Sequence, residues 1–169
     1  MLGPEEFRRV LGCFASGVTV ITTWDPEGRP TGLTASAFSS VSLNPPLVLV
    51  CVAHTSQSYP ALRASERFAV NILGADQEAI SQRFAAPPGT NGSNKFDGIR
   101  YAPGTLGLPM LEGALAQLEC STVHAYPGGD HTIFVGQVEA ARCQPGSGAE
   151  PLLYYRGQYG RPHSPGGVR

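Results

Sequence analysis

The chain has 169 residues, enough for one domain whose hydrophobic core needs no disulfide or metal to stabilise it. Its 12 Lys and Arg residues nearly balance its 13 Asp and Glu residues and form no block of like charge, which argues against a nucleic-acid or membrane-surface partner. No basic segment leads into an apolar stretch near the N-terminus, and no uncharged apolar run approaches the roughly 18 residues of a membrane span, so we expect a cytoplasmic protein.

The first half of the chain predicts one helix followed by three strands. The helix starts at Pro4 and ends near Gly17, and apolar residues recur with the spacing of one helical face at Phe7, Val10, Leu11 and Phe14. The β-branched segment VTVITT at 18–23 predicts a strand, followed by the turn DPEGRP. The run TGLTASAFSSVSL at 31–43 and the segment PPLVLVCVA at 45–53 predict the next two strands.

The second half adds short helices, a strand and a hairpin. SQSYPALRASE predicts a helical turn, RFAVNIL a strand and DQEAISQRFA a helix. ALAQLECSTVHA and HTIFVGQVEAARC flank the turn YPGGD as a hairpin, and PLLYYRGQYG predicts a last short strand. This inventory favours a mainly β fold, a split β-barrel with Greek-key topology and a few short helices, over an alternating βαβ sheet. We expect residues 1–160 to form a single domain and residues 161–169 a disordered tail.

Several common chemistries lack their sequence signals. Cys13, Cys51, Cys120 and Cys143 stand far apart, which favours buried, reduced thiols. His124 and His131 flank the YPGGD turn and could face each other near Cys120, but no acid completes a ligand set, so no metal site is predicted. The chain also lacks the signatures of a P-loop, a Rossmann glycine turn and a serine nucleophile elbow.

The uncharged run at 31–43 carries Thr or Ser at six positions. Such small side chains leave space above the strand and keep its backbone amides accessible. This surface suits a flat heteroaromatic ring such as the isoalloxazine of a flavin. A close-packed strand of small residues is the alternative. Ser56 and Ser58 precede a predicted helix, where they could bind a phosphate or simply cap the helix.

Five segments occur in the same order as in the flavin reductase family: FRRVLGCFASGVTVITT, TGLTASAFSSVSLNPPLVLVCV, RFAVNIL, GDHTIFVGQV and PLLYYRGQYG. From about Phe7 to Tyr159 the chain resembles this family, and more narrowly the small NADH:flavin oxidoreductases that serve two-component flavin-dependent monooxygenases. The resemblance implies a flavin-binding split β-barrel and a homodimer with the flavin near the subunit interface.

The resemblance also implies site residues. Those expected to line the isoalloxazine and ribityl chain are Thr34, Ala35, Ser36, Ala37, Phe38 and Ser40. Those on the phosphate side are Ala53, His54, Ser56 and Ser58, and Phe84 matches an aromatic residue near the flavin. Relatives often carry Lys or Arg on the phosphate side, so Lys95 or Arg83 is expected to supply the positive charge here. His131 is the expected catalytic residue and contacts the nicotinamide, which is closed over by Tyr155, Arg156, Gly157 and Tyr159.

The implied reaction transfers a hydride from NADH to FAD or FMN, with FAD slightly favoured, and the reduced flavin then diffuses to a partner monooxygenase. The protein must stack two rings about 3 to 3.5 Å apart and exclude water, which requires neither a nucleophile nor a metal. No Arg cluster for a 2′-phosphate is evident in the sequence, which favours NADH over NADPH.

Two alternatives remain open at this point. A pyridoxine phosphate oxidase-like or heme-related protein on a similar barrel would need basic residues converging on a substrate phosphate, and the sequence offers few. A non-catalytic flavin carrier or structural dimer would leave the segments GDHTIF and YYRGQY without a purpose.

Overall fold

The structure is a computed structural model that describes residues 2–87, 90, 94–144 and 149–162. Most of the predicted tail, from residue 163 onward, lies outside the described residues. Within the described part of the chain, no helix has the length and hydrophobicity of a membrane span.

The described residues form three short helices and twelve strands. The helices are α1 (Pro4–Leu11), α2 (Tyr59–Ala64) and α3 (Glu78–Ala85). The first six strands are β1 (Ser16–Gly17), β2 (Thr19–Trp24), β3 (Pro30–Ala35), β4 (Phe38–Leu43), β5 (Pro46–Ala53) and β6 (Arg67–Ile72). The others are β7 (Tyr101–Pro103), β8 (Pro109–Leu111), β9 (Ala116–Gly128), β10 (His131–Cys143), β11 (Leu153–Tyr155) and β12 (Gln158–Gly160).

One seven-stranded sheet dominates the fold. Its strand order is β3-β2-β6-β9-β10-β5-β4, and every neighbouring pair in it is antiparallel. Two smaller sheets are formed by β1-β11-β12 and by β7-β8. The prediction of a mainly β fold with a few short helices is therefore confirmed.

The run at 31–43 is two strands, so the prediction of a single strand is wrong. Strand β3 ends at Ala35 and β4 begins at Phe38, whose amide donates a hydrogen bond to the Ser36 carbonyl at 3.0 Å. The two strands lie at opposite edges of the large sheet. The chain therefore turns at Ser36 and Ala37 from one edge of the sheet to the other.

Other boundaries also differ from the predictions. Helix α1 ends at Leu11 rather than near Gly17, and the short strands β1, β7 and β8 were not predicted. PLLYYRGQYG forms two strands, β11 and β12, joined by Arg156 and Gly157 with φ values of 50° and 79°. These residues adopt the left-handed conformation that a tight two-residue hairpin turn requires.

Strand β2 is covered on both faces, and its side chains connect two hydrophobic clusters. Ile21 belongs to a cluster with Val50, Phe68 and Phe134, whereas Val20 belongs to a cluster with Phe84. Helices α2 and α3 contribute Leu62 to the first cluster and Phe84 to the second. Burial of these apolar surfaces is the main force that fixes both short helices against the sheet.

The four cysteines are free thiols, but they are not all buried as predicted. Cys13 and Cys143 are exposed, Cys51 is half-buried and only Cys120 is fully buried. Burial, with a smaller contribution from Glu139 and Glu119, raises the pKa of Cys120 to about 12. This thiol therefore stays protonated and acts as part of the core.

Candidate functional site

The turn between β3 and β4 presents a surface of small residues. Ser36 and Ala37 are exposed, and the Ala37 carbonyl accepts a hydrogen bond from the Cys51 amide at 3.0 Å. Among the described residues, neither the Ser36 amide nor the Ala37 amide has a hydrogen-bond acceptor. The turn thus offers two backbone donors beside a surface that no large side chain occupies.

The residues on either side of this turn are tied into the fold. Thr34 donates a hydrogen bond from Oγ1 to the Ser81 carbonyl at 2.6 Å, and Ser81 Oγ is 2.8 Å from the hydroxyl of Tyr159. Ala35 is buried, and its carbonyl accepts a hydrogen bond from Thr19 Oγ1. Helix α3 therefore connects Thr34 with Tyr159, and both hydroxyls have structural partners.

The β4 side of the turn differs in exposure. Phe38 is half-buried and packs against the first hydrophobic cluster, whereas Ser40 is exposed. Ser40 is therefore accessible to a ligand, while Phe38 chiefly fixes the start of β4.

A polar cavity of about 310 Å³ lies at the other end of β3. We call it the phosphate cavity; it is lined by Asp25, Arg29, Pro30, Thr31, Gln57, Ser58, Asn94 and Lys95. Lys95 donates a hydrogen bond from Nζ to the Phe84 carbonyl at 2.6 Å, and burial lowers the pKa of this ammonium. Arg83 donates from Nε to the Lys95 carbonyl at 2.7 Å, so it supports the loop that carries Lys95.

The two predicted phosphate-side serines have different surroundings. Ser58 is only 1% exposed, and its hydroxyl donates to the Gly32 carbonyl at 2.7 Å and lies 2.9 Å from Thr31 Oγ1. Ser56 is half-buried, and its hydroxyl accepts a hydrogen bond from the Ser58 amide at 3.3 Å. Ser58 makes no side-chain cap bond to α2, so its main structural role is to join α2 to β3.

A histidine cluster, formed by His54 and His131, lies where β5 ends and β10 begins. His131 is paired with Ala53 across these strands, and its Nδ1 lies 2.6 Å from Oδ1 of Asp130. His54 Nε2 lies 3.1 Å from Oγ1 of Thr132, which is also 3.0 Å from the hydroxyl of Tyr59. His54 is exposed but held by Thr132, and His131 is half-exposed beside Asp130.

The register of the β9-β10 hairpin separates His124 from His131. His131 pairs with Gly128, and His124 pairs with Val135. The idea that the two histidines face each other is therefore wrong. No group of three or more potential metal ligands occurs in the part of the chain that the structure describes.

The exposed turn and the histidine cluster lie at the same end of the sheet. Ala37 contacts β5 at Cys51, two residues before Ala53, and Ala53 pairs with His131 on β10. Neighbouring strands are about 4.8 Å apart, and each residue advances about 3.4 Å along its strand. Ala37 and His131 are separated by two strand spacings and by two residues along the strands, so their Cα atoms are about 12 Å apart. A ligand lying on Ser36 and Ala37 would therefore be within reach of a second ligand held by His131.

An apolar cavity of about 410 Å³ adjoins the turn from the other side. Its lining is Phe7, Arg8, Leu11, Gly12, Phe14, Ser16, Ser36, Tyr154, Arg156 and Gly157. The Arg156 amide donates to the Gly12 carbonyl at 2.9 Å, which fixes the C-terminal hairpin against the end of α1. The fold thus brings Ser36, Arg156 and Gly157 to one cavity, together with residues of α1 that were not predicted as site residues.

The family model described as flavin reductase like domain matches residues 11–163. The chain belongs to this flavin reductase family. The reductase subunit HsaB of a flavin-dependent monooxygenase from Mycobacterium tuberculosis is 42% identical over 158 residues, which cover 94% of this chain and 82% of that protein. The FMN reductase (NADH) SmoA from Agrobacterium fabrum is 42% identical, with 93% of this chain and 85% of that protein covered.

A solved structure gives the same assignment for this flavin reductase. The NADH:FAD oxidoreductase SgcE6 of Streptomyces globisporus, in complex with NAD and FAD fragments, has a TM-score of 0.85 and 39% sequence identity to it. That comparison covers 98% of each chain. The predicted family and the predicted class of enzyme, an NADH-dependent flavin oxidoreductase, are confirmed.

Phe84 is the predicted site residue whose position fits its predicted role least. Its side chain has no exposed surface and packs edge-on against Phe96, with the ring centroids 5.0 Å apart. It therefore fills the second hydrophobic cluster of this flavin reductase and has no surface to offer a ligand. The helical spacing of Ala79, Ile80 and Phe84 was a core signal that the sequence already contained.

Proposed function

We propose that this flavin reductase binds FAD or FMN across the β3-β4 turn, oxidises NADH and releases the reduced flavin to a partner monooxygenase. The observation that carries the proposal is the exposed turn at Ser36 and Ala37, which has two backbone donors and lies between an apolar cavity and the histidine cluster. The names of its relatives include both an FMN reductase and an FAD oxidoreductase, so both flavins are included, and we keep the slight preference for FAD.

The chemistry of the described residues fits a flavin. The amides of Ser36 and Ala37 could donate to the polar edge of the ring system, and Ser40, three residues further along the chain on β4, is also exposed. The hydroxyl of Thr31 and the ammonium of Lys95 line the phosphate cavity at the other end of β3, where a phosphate would find donors and positive charge. Strand β3 links the two regions, so one extended ligand could contact both.

When bound, the flavin supplies the acceptor for the hydride of NADH. The residues of the chain have the task of positioning the nicotinamide and excluding water. We assign the first task to His131 and the second to the C-terminal hairpin at Tyr155 and Gly157. Backbone donors at Ser36 and Ala37 would stabilise negative charge that develops on the ring edge they contact.

We also propose that the large sheet closes into a split barrel. Strands β3 and β4 are the two edges of the sheet, yet only Ser36 and Ala37 separate them. Three peptide units span at most about 11 Å, so the two edges must approach each other at this end. The sheet therefore curls around the first hydrophobic cluster, and the exposed turn lies where its edges come together.

The outer face of β5 and β10 supports the proposed homodimer. Val48 and Val50 of β5 point into the core, so the alternating residues Leu47 and Leu49 point outward, and both are half-buried. Ile133 of β10 is likewise only half-buried and pairs with Tyr126, which is 50% exposed. This apolar face adjoins the histidine cluster, and a second copy of the chain would cover it beside the flavin site.

Light scattering tests the homodimer. We expect a dimer at micromolar concentration, and we expect Tyr126→Glu to dissociate it and weaken flavin binding. Val10→Glu is the matched control, because Val10 is similarly exposed at 52% but lies on α1. A monomeric wild-type protein with full activity would remove the basis for placing the flavin between subunits.

Steady-state oxidation of NADH, followed at the nicotinamide absorbance band, tests the function. We expect little oxidation without flavin and rapid oxidation when free FAD or FMN is added, with NADH preferred over NADPH. A protein that binds flavin tightly but leaves NADH unoxidised would be a carrier rather than a reductase. A cytoplasmic location and a single domain over residues 1–160 stay predictions.

A further inference from the structure

Three arginines line a cavity between α1 and the C-terminal hairpin. This cavity, which we call the arginine cavity, has a volume of about 630 Å³ and is lined by Glu5, Arg8, Arg9, Gly12, Cys13, Arg156 and Gly157. Three of the chain's 12 basic residues thus line one cavity, together with a single acidic residue. Counting these charges gives three positive and one negative, so the lining favours an anion.

The three guanidinium groups are available to a ligand. Arg8 forms no ion pair with any described residue, and Arg9 is paired only with Glu6, at 3.9 Å on the exposed surface. Such an exposed pair is weak and readily exchanged for a better partner. Arg156 has no carboxylate partner in the described structure; its Nη2 lies 3.7 Å from the sulfur of Cys13.

The arginine cavity continues into the apolar cavity beside the flavin site. Arg8, Gly12, Arg156 and Gly157 line both cavities, and the apolar cavity ends at Ser36. A single molecule with a charged group among the arginines could therefore extend through the apolar cavity, which Phe7 and Tyr154 line, to the flavin site at Ser36. A nicotinamide dinucleotide has such a charged group, a doubly charged pyrophosphate that joins its flat rings.

We propose that the arginine cavity binds the pyrophosphate of NADH, through Arg8 and Arg9 of α1 together with Arg156 of the C-terminal hairpin. This inference rests on the proposed function and names the residues that recognise its dinucleotide substrate. Guanidinium groups bind phosphate oxygens with two parallel hydrogen bonds, which suits them to this task better than lysines. The flavin phosphate is assigned to the phosphate cavity, at the opposite end of β3, so the two anionic groups have separate binding sites.

The first experiment measures binding of ADP-ribose to the flavin-free protein by calorimetry. ADP-ribose has the pyrophosphate but no nicotinamide, so its binding reports on the arginine cavity without any turnover. In the double variant Arg8→Gln/Arg9→Gln we expect the Kd for ADP-ribose to rise about tenfold or more, as loss of charge-assisted hydrogen bonds predicts. No residue of α1 is buried, so this variant should keep the fold.

The second experiment compares two hydride donors on the flavin-loaded enzyme. For the same double variant we expect the KM for NADH to rise about tenfold or more. The rate with N-benzyl-1,4-dihydronicotinamide, which has no phosphate, should be unchanged, and so should the Kd for FMN. Arg100→Gln is the matched control, because Arg100 is an exposed arginine that pairs with Glu112 and lies outside the cavity lining.

The possible results separate the inference from the proposed function. Unchanged ADP-ribose binding and an unchanged KM for NADH in an active double variant would overturn the inference alone. Equal losses with NADH and with the phosphate-free donor would also overturn it, because the arginines would then act on the hydride transfer site. If the wild-type protein binds ADP-ribose through these arginines yet oxidises neither donor, the proposed function fails and the anion site stands.

Discussion

Asp130 accepts a hydrogen bond from Nδ1 of His131 at 2.6 Å. An ionised carboxylate can only accept, so it keeps the proton of a neutral imidazole on Nδ1 and leaves the lone pair on Nε2. Nε2 could then accept a hydrogen bond from the carboxamide of a nicotinamide. Asp130 is exposed and precedes His131 directly in the chain, so it orients the ring without occupying the site.

Replacing His131 should affect NADH more than flavin. In His131→Ala we expect kcat/KM for NADH to fall about tenfold to a hundredfold, which corresponds to about 1.4 to 2.7 kcal/mol of lost transition-state binding. Flavin affinity should change little, because Ser36, Ala37 and Lys95 lie on other elements. Steady-state kinetics and a flavin titration measure the two effects, and equal losses in both would contradict the assignment of His131 to the nicotinamide.

The Asp130-His131 pair also predicts a pH dependence. The hydrogen bond from His131 is the main cause that holds the pKa of Asp130 below its ordinary value. When folding lowers the pKa of a carboxyl group, the stabilising interaction is complete at pH values above the unfolded-state pKa of about 3.9. It is lost as the pH falls through the lower pKa of the folded state. NMR titration should therefore find that the Asp130 pKa is depressed in the wild type and returns toward the ordinary value in His131→Ala. A pKa that is the same in both proteins would show that the pair does not form in solution.

Ser36 should tolerate a larger side chain in the fold but not in the site. Because Ser36 is exposed, Ser36→Leu should leave the thermal unfolding curve nearly unchanged. The added volume would occupy the surface proposed for the flavin ring, so the Kd for FMN should rise beyond measurement, whereas Ser36→Ala should bind normally. If Ser36→Leu unfolds the protein while Ser36→Ala does not, the alternative of a close-packed strand of small residues is the better explanation.

Gly136 should be among the glycines that the fold tolerates least when replaced. A Cβ atom there would lie 2.5 Å from Cζ of Phe68 and 2.8 Å from Cβ of Cys120, in the centre of the first hydrophobic cluster. Gly136→Ala should lower the free energy of unfolding by about 1 to 3 kcal/mol, as overpacking usually does. Gly17→Ala is the control, because a Cβ at Gly17 meets no atom within 4 Å. Chemical denaturation that gave the same stability for both variants would contradict this packing.

The strands could be predicted from the sequence wherever alternation or β-branching marked them, as in β2, β5 and the β9-β10 hairpin. The turn at Ser36 and Ala37 could not, because the residues on both sides of it have a similar preference for extended structure. Its position depends on two edges of one sheet approaching each other, which is a property of the whole fold. The role of Phe84 could not be predicted for a different reason, because its helical spacing fits a core residue as well as a ligand contact.

The cavities depend even more on tertiary structure. Arg8 and Arg156 are separated by most of the chain, and their segments meet in the fold through the hydrogen bond from the Arg156 amide to the Gly12 carbonyl and the contact between Arg156 Nη2 and the sulfur of Cys13. The arginine cavity could not be predicted from the sequence, because Arg156 lies far along the chain from Arg8 and Arg9. The predicted Lys95, by contrast, does line the phosphate cavity, although its ammonium also holds the Phe84 carbonyl.

The central claim is that this chain transfers a hydride from NADH to a flavin that it then releases. The most direct measurement is an anaerobic single turnover with limiting NADH, in which the absorbance bands of nicotinamide and flavin are followed together and the protein is afterwards removed by rapid ultrafiltration. We predict that NADH oxidation and flavin reduction proceed with the same rate and in equal amounts, and that the reduced flavin appears in the filtrate. NADH that remains unoxidised in the presence of bound flavin would contradict the claim.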